Sequence, residues 1–114
     1  MKKQLLIILL LAFGLMTACS EMNPHPMDMS KAVQNAQTKS DHEALAQHYD
    51  GAANEMQLKV DEHKKILNQY ESKAYLYGRQ AEDLKAHCEN LINSYEKAVT
   101  ANRKMAEMHR EMAH

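Results

Sequence analysis

Two heptad rows of apolar and aromatic residues constrain the fold of this chain more than any other feature. The first row takes steps of four and three and comprises Leu45, Tyr49, Ala52, Met56, Lys59, His63, Ile66 and Tyr70, with Val60 and Leu67 beside it. The second row takes the same steps and comprises Leu84, Cys88, Leu91, Tyr95, Ala98, Asn102, Met105, His109 and Met112. This spacing is typical of the seam along which two α-helices pack in a coiled coil.

Gly78 lies between the two rows and is the only helix breaker between Ala52 and the C-terminus. A chain reversal at Gly78 predicts an antiparallel hairpin within residues 40–114, with helices over about 41–73 and 83–113. The alternative is one unbroken helix, since a single glycine costs a helix only about 1 kcal/mol. Ser40 and Glu43 have the spacing of a capping box at the first helix start. The predicted fold class is therefore all-α, a long coiled-coil-like helical hairpin.

The two helical segments also resemble each other. At an offset of 46 residues, residues 42–67 align with 88–113. The identical pairs are Glu43 with Glu89, Leu45 with Leu91, Tyr49 with Tyr95, Ala52 with Ala98, and His63 with His109. Three further alignments keep the sign of the charge: Asp50 with Glu96, Asp61 with Glu107, and Lys64 with Arg110. An internal duplication is one explanation, and shared heptads with an alanine-rich helix composition are the other.

Equivalent repeats in an antiparallel hairpin are related by a pseudo-twofold axis, so the numbers of facing residues have a constant sum. A sum of about 158 places Tyr49 opposite His109 and His63 opposite Tyr95. Buried imidazole and phenol groups need hydrogen-bond partners, and each ring can supply the other's. We therefore expect the same Tyr–His pair to occur twice.

The first twenty residues have the composition of an export signal. Two lysines precede the apolar run of residues 5–16, which is shorter than the roughly 20 apolar residues needed to span a bilayer. The small residues Thr17 and Ala18 then precede Cys19. The segment LMTAC resembles the lipobox of bacterial lipoproteins, whose cysteine is acylated and becomes the first residue of the mature protein. An uncleaved anchor helix, or an ordinary signal followed by a chance cysteine, is the alternative.

The resemblance implies that residues 1–18 are a signal peptide and that Cys19 carries a lipid anchoring the protein to a membrane, facing the periplasm. Ser20 after the cysteine implies sorting to the outer membrane rather than the inner one. Residues 19–39 contain both prolines and few large aliphatic residues, which predicts a flexible tether. A helical turn or two is compatible with residues 30–37.

Charge and motif content exclude several functions. Removing residues 1–18 takes away two lysines and changes the net charge from −1 to −3. Because the chain has neither a basic stripe nor a platform of stacking aromatics, nucleic acid is not an expected partner. The sequence holds no nucleophile–base set, catalytic carboxylate pair or phosphate-binding loop, so we do not expect an enzyme. Two helices cannot enclose a core, so a homodimer or another helical partner is expected.

Methionine and histidine concentrate at two places in the chain. The tether holds Met22, His25, Met27 and Met29, and the C-terminus holds Met105, Met108, His109, Met112 and His114. Thioether and imidazole groups suit Cu(I) or Ag(I), and Met105, His109 and Met112 are spaced to share one helix face. A hairpin would bring both groups to its open end. The alternative is that the methionines fill the seam and the histidines lie on the polar surface.

Cys88 is the only cysteine left beside the proposed lipid attachment site, so no internal disulfide can form. We expect a buried thiol or, in an oxidising compartment, a bridge between two subunits. Two functions follow from the sequence as a whole. The first is a structural or protein-interaction role for a lipid-anchored periplasmic protein, and the alternative is periplasmic binding of copper or silver.

Overall fold

A computed structural model describes residues 28–114. The predicted signal peptide, Cys19, and the tether residues Met22, His25 and Met27 lie outside the described residues. The described chain forms three helices: α1 at Met29–Asn35, α2 at Lys39–Ser72 and α3 at Ala81–Ala113. The long helices α2 and α3 pack against each other as an antiparallel hairpin. This confirms the predicted all-α hairpin and excludes the alternative of one unbroken helix.

The start of α2 differs from the prediction because the capping box is formed by Thr38 and Asp41, not by Ser40 and Glu43. The hydroxyl of Thr38 accepts the backbone N–H of Asp41 at 3.1 Å, and the Asp41 carboxylate accepts that of Thr38 at 2.9 Å. The carboxylate also accepts the backbone N–H of Gln37 at 3.0 Å. These hydrogen bonds lower the pKa of Asp41, and the one from Gln37 contributes most to the shift.

The turn between the long helices consists of two short 3₁₀ segments, Ala74–Leu76 and Gly78–Gln80. Gly78 has a φ of +57°, a left-handed conformation that costs other L-residues about 1–2 kcal/mol. Tyr70 and Tyr77 pack edge to face beside it, with ring centroids 5.1 Å apart. The chain therefore reverses at Gly78, as the sequence predicts.

The buried seam between α2 and α3 keeps the tyrosine and histidine half of each predicted row, and Leu45 of the other half is also buried, at 1% exposed. Further seam positions lie one residue after members of that other half, and two of them, Val60 and Leu67, are the residues predicted beside the first row. The tyrosine and histidine positions of both rows are buried or half-buried, as predicted. The shifted positions are Ala46, Ala53, Val60 and Leu67 on α2, and Ile92, Val99, Ala106 and Ala113 on α3. The predicted members Leu91, Met105 and Met112 are instead 43%, 38% and 51% exposed.

Side-chain shape explains the shift. Val60, Ile92 and Val99 form the core cluster together with Cys88, whereas alanines such as Ala106 are fully buried and leave room for the facing helix. The two candidate seams share their tyrosine and histidine positions and differ by one residue elsewhere. Heptad spacing alone is therefore compatible with either seam.

The short helix α1 provides the helical turns that the sequence predicts within the tether. The carboxylate of Asp28 caps this helix by accepting the backbone N–H of Lys31 at 3.2 Å. None of the residues of α1 is buried, although Met29 is half-buried. Part of the predicted flexible tether is thus helical and precedes α2 by only a short link.

Candidate functional site

His42, Tyr49, Asp50, His109 and Arg110 meet near the free end of the hairpin and are named the open-end cluster. The rings of Tyr49 and His109 stack with centroids 5.6 Å apart and planes inclined by 7°. The ring of His42 also stacks on His109, with centroids 5.4 Å apart and planes inclined by 23°. His109 thus lies against two rings and is only 8% exposed.

Polar contacts complete the open-end cluster. The Nδ1 atoms of His42 and His109 are 3.1 Å apart, so one imidazole donates a hydrogen bond and the other accepts it. The guanidinium of Arg110 donates to the carboxylate of Asp50 and forms a cross-helix ion pair. This hydrogen bond with Asp50 raises the pKa of Arg110.

A second group of five residues lies nearer the turn and is named the turn-side cluster: His63, Lys64, Cys88, Tyr95 and Glu96. The rings of His63 and Tyr95 stack with centroids 5.5 Å apart and planes inclined by 22°. Lys64 Nζ lies 2.9 Å from a carboxylate oxygen of Glu96. Cys88 Sγ lies 3.9 Å from His63 Nδ1, and its thiol donates to the His63 carbonyl oxygen at 3.2 Å.

Cys88 is only 3% exposed. Burial, followed by the nearby negative charge of Glu89, raises the pKa of its thiol. The buried thiol expected from the sequence is therefore the arrangement found. The partner of Cys88 is His63 of the facing helix rather than its own neighbour His87, which is exposed.

The two clusters are equivalent under the 46-residue offset of the sequence repeat. The corresponding residues are His42 and Cys88, Tyr49 and Tyr95, Asp50 and Glu96, His63 and His109, and Lys64 and Arg110. Each cluster holds one Tyr–His stack, one cross-helix ion pair and one side chain against the imidazole. A pseudo-twofold axis therefore relates the clusters, and it passes at the level of Met56 and Asn102, midway between them in each helix.

The contact within each Tyr–His pair differs from the expected hydrogen bond. The rings face each other as the numbering predicts, but they stack, and the imidazole nitrogens of His109 and His63 instead approach His42 and Cys88. Sequence reasoning missed this role of His42. The sequence repeat could have indicated this role, because its 46-residue offset aligns His42 with Cys88.

The predicted soft-metal ligands occupy different surroundings. The imidazole of His109 lies in the interface, whereas Met105 and Met112 are exposed beside it. His114 is exposed at the C-terminus, where its carbonyl oxygen accepts from Lys39 Nζ at 2.8 Å. Met29 is the first residue of α1 and is half-buried. Within residues 28–114, no group of three or more His, Cys, Asp or Glu side chains is arranged to hold a metal ion.

An exposed apolar row lies on one side of α3 and comprises Leu91, Met105, Met108 and Met112. These side chains are 38–51% exposed. Leu91, Met105 and Met112 are separated by multiples of seven residues and Met108 lies one turn before Met112, so all four share one side of the helix. Met105, Met108 and Met112 therefore lie together near the end of α3, and Leu91 lies on the same side about four turns earlier.

No family model matches this chain, and neither a curated protein nor a solved structure is similar to it. None of the helices in residues 28–114 contains an apolar stretch long enough to cross a membrane. The class defined by the fold is thus a two-helix antiparallel coiled-coil hairpin with an internal pseudo-twofold axis.

Proposed function

We propose that this chain is a non-enzymatic, lipid-anchored protein of the bacterial cell envelope whose hairpin serves a structural or protein-interaction role. The lipid at Cys19 would hold it on the outer membrane, facing the periplasm. In this proposal the partner of the chain is a second copy of itself. The observation that carries the interaction role is the exposed apolar row on α3.

The geometry of a two-helix hairpin explains why such a row favours a partner. Each long helix covers only one side of the other, and at about 1.5 Å per residue the two helices are each about 50 Å long. The thioether groups of Met105, Met108 and Met112 are adaptable apolar contacts that recur at protein-binding surfaces. Contiguous exposed apolar surface is typical of interaction sites.

Apart from the single exposed Leu58, the remaining surface of the long helices contrasts with this row. It carries ion pairs one turn apart, such as Lys59 with Glu62 at 3.1 Å and Lys104 with Glu107 at 2.8 Å. Its described depressions are open grooves, one of them lined by Asn93, Lys97 and Lys104 among others. Charged helix faces of this kind stay in water, so the apolar row is the preferred contact surface.

Sedimentation of the soluble fragment of residues 20–114 tests self-association. We expect a dimer or larger assembly at micromolar concentration, and a monomer when Met105 and Met112 are both replaced by glutamate, because buried charges oppose association. Leu58→Glu is the matched control, since Leu58 is 69% exposed on α2 and lies outside the row. A parent fragment that stays monomeric and still melts cooperatively would refute the need for a partner.

The anchor is tested separately through Cys19. Metabolic labelling with a palmitate analogue should modify the parent chain, whereas Cys19→Ser should block labelling and leave an unprocessed precursor. Cys88→Ser is the control and should retain the label. Equal labelling of the Cys19→Ser variant and the parent would reject the lipid anchor without affecting the case for self-association.

A further inference from the structure

At one pair of equivalent positions, the two clusters hold different residue types that pack very differently. His42 of the open-end cluster corresponds to Cys88 of the turn-side cluster, and each lies against a histidine of the facing helix. Histidine and cysteine differ in volume, shape and polarity, so similar packing does not explain why both lie against a histidine of the facing helix. Both are ligands of soft metal ions.

The two pairs differ in how well their distances suit a shared ion. With zinc-like bonds of about 2.3 Å to sulfur and about 2.0 Å to nitrogen, donors on opposite sides of one ion are about 4.3 Å apart, and Cys88 Sγ and His63 Nδ1 are 3.9 Å apart. Two nitrogens on opposite sides of one ion would be about 4.0 Å apart, whereas the His42 and His109 Nδ1 atoms are 3.1 Å apart. The turn-side pair is therefore close to the required spacing, and the rings of the open-end pair must separate by about 1 Å to admit an ion.

We propose that each cluster binds one Cu(I) or Ag(I) ion, between His63 and Cys88 near the turn and between His42 and His109 at the open end. Monovalent ions of this kind are soft and form complexes with only two donors. Zinc normally takes four ligands and would find too few, in agreement with the lack of any three-residue His/Cys/Asp/Glu group in residues 28–114.

The stacked tyrosines act as positioning residues in this proposal. Tyr95 covers one face of His63 and Tyr49 covers one face of His109. An imidazole held by its face keeps its ring nitrogen directed at the facing donor. At the turn-side cluster the second donor is then already placed when an ion arrives, so little side-chain entropy is lost on binding.

Binding at the turn-side cluster exchanges a proton for the metal ion. The Cys88 S–H bond breaks, the proton passes to solvent, and an Sγ–metal bond forms without any change of oxidation state. The thiolate neutralises the monovalent ion, so the complex is uncharged at a site where Cys88 is 3% exposed. At the open end, the imidazole that donates its Nδ1 proton must release it and take up a proton at Nε2 before an ion can bind between the two Nδ1 atoms. No net proton is lost there, so the complex of His42 and His109 keeps the positive charge of the ion, and we expect the turn-side cluster to bind more tightly.

Anaerobic titration of the reduced, detergent-solubilised full chain with Cu(I), in competition with a chromophoric Cu(I) chelator, measures these sites. His42→Gln and Cys88→Ser should each remove one equivalent of bound Cu(I), and the double variant should remove two. Any ion held by the tether methionines is common to all variants and cancels in the comparison. Met105→Leu/Met112→Leu is the matched control and should bind as the parent does.

Equal binding by the parent and the double variant would overturn the proposal, as would loss of binding in the methionine control. Far-UV circular dichroism verifies that each variant remains helical. A second measurement needs no variant: Ag(I) should slow the alkylation of Cys88 in the parent chain at least tenfold, read at that residue by mass spectrometry. Alkylation at an unchanged rate in the presence of Ag(I) would also overturn the proposal.

Discussion

The phenol ring of Tyr49 lies nearly parallel to the imidazole of His109, with the planes inclined by 7°. Such a contact depends on the ring and not on the hydroxyl. We therefore expect Tyr49→Phe to leave the free energy of unfolding almost unchanged and Tyr49→Leu to lower it by about 0.5–1.5 kcal/mol. Urea unfolding followed by circular dichroism measures both, and Tyr95 provides the same comparison in the other cluster. Equal losses for Phe and Leu would mean that the hydroxyl is engaged.

The position of the buried seam is tested by two neighbouring residues. Ile92 is 7% exposed and Leu91 is 43% exposed. Ile92→Ala should lower the free energy of unfolding by about 2–5 kcal/mol because it leaves a cavity in the core, whereas Leu91→Ala should cost less than about 1 kcal/mol. The ratio of the two losses in denaturant unfolding is the readout. A larger loss for Leu91 would place the seam where the sequence pattern alone put it.

The ion pair of Lys64 and Glu96 joins the two helices across the turn-side cluster. Its side chains are 54% and 47% exposed, so a double-mutant cycle with alanine should give a coupling energy of only about 0.2–1 kcal/mol. The charge-exchanged variant Lys64→Glu/Glu96→Lys should regain most of the free energy of unfolding that Lys64→Glu loses. The coupling should shrink in 1 M salt, because salt screens exposed charges. A coupling that salt does not change would indicate that packing, not charge, joins the two side chains.

Replacing each of the two glycines of the hairpin by alanine should change its stability in opposite directions. Gly51 is exposed within α2, and a Cβ built there meets nothing within 4 Å, so Gly51→Ala should raise stability by about 0.5–1 kcal/mol. Gly78 has equal space but a φ of +57°, so Gly78→Ala should lower stability by about 1–2 kcal/mol. Thermal unfolding of both variants compares them directly. Stabilisation by both would show that the turn does not hold Gly78 in a left-handed conformation.

The capping box of α2 should make stability depend on acid. The pKa of Asp41 is lowered in the folded chain by hydrogen bonds from Gln37 and Thr38, so its contribution is complete above the unfolded pKa and is lost as the pH falls through the folded pKa. The stability difference between the parent and Asp41→Asn should therefore begin to shrink at about pH 4 and vanish at lower pH. Melting temperatures between pH 7 and pH 2 measure this, with Glu55→Gln in the middle of α2 as the control.

Heptad spacing and the repeat alone predict the hairpin, the reversal at Gly78 and the position of each tyrosine opposite a histidine. They do not predict which residues form the seam, because Leu91 and Ile92 both fit the spacing and only the packing of the facing helix selects between them. The Tyr–His stack was missed because spacing gives the position of a ring and not its orientation. Thr38 with Asp41 and Ser40 with Glu43 both have the spacing of a capping box, so the local sequence is compatible with a start of α2 at either residue.

The alanines of the seam have a consequence for how the helices align. Side chains as short as those of Ala46, Ala53 and Ala106 form low ridges, so this part of the interface resists sliding weakly. A slide by one heptad would separate both Tyr–His stacks and both cross-helix ion pairs at the same time. The two clusters therefore fix the register of the hairpin, as a polar residue in the seam does for a coiled coil.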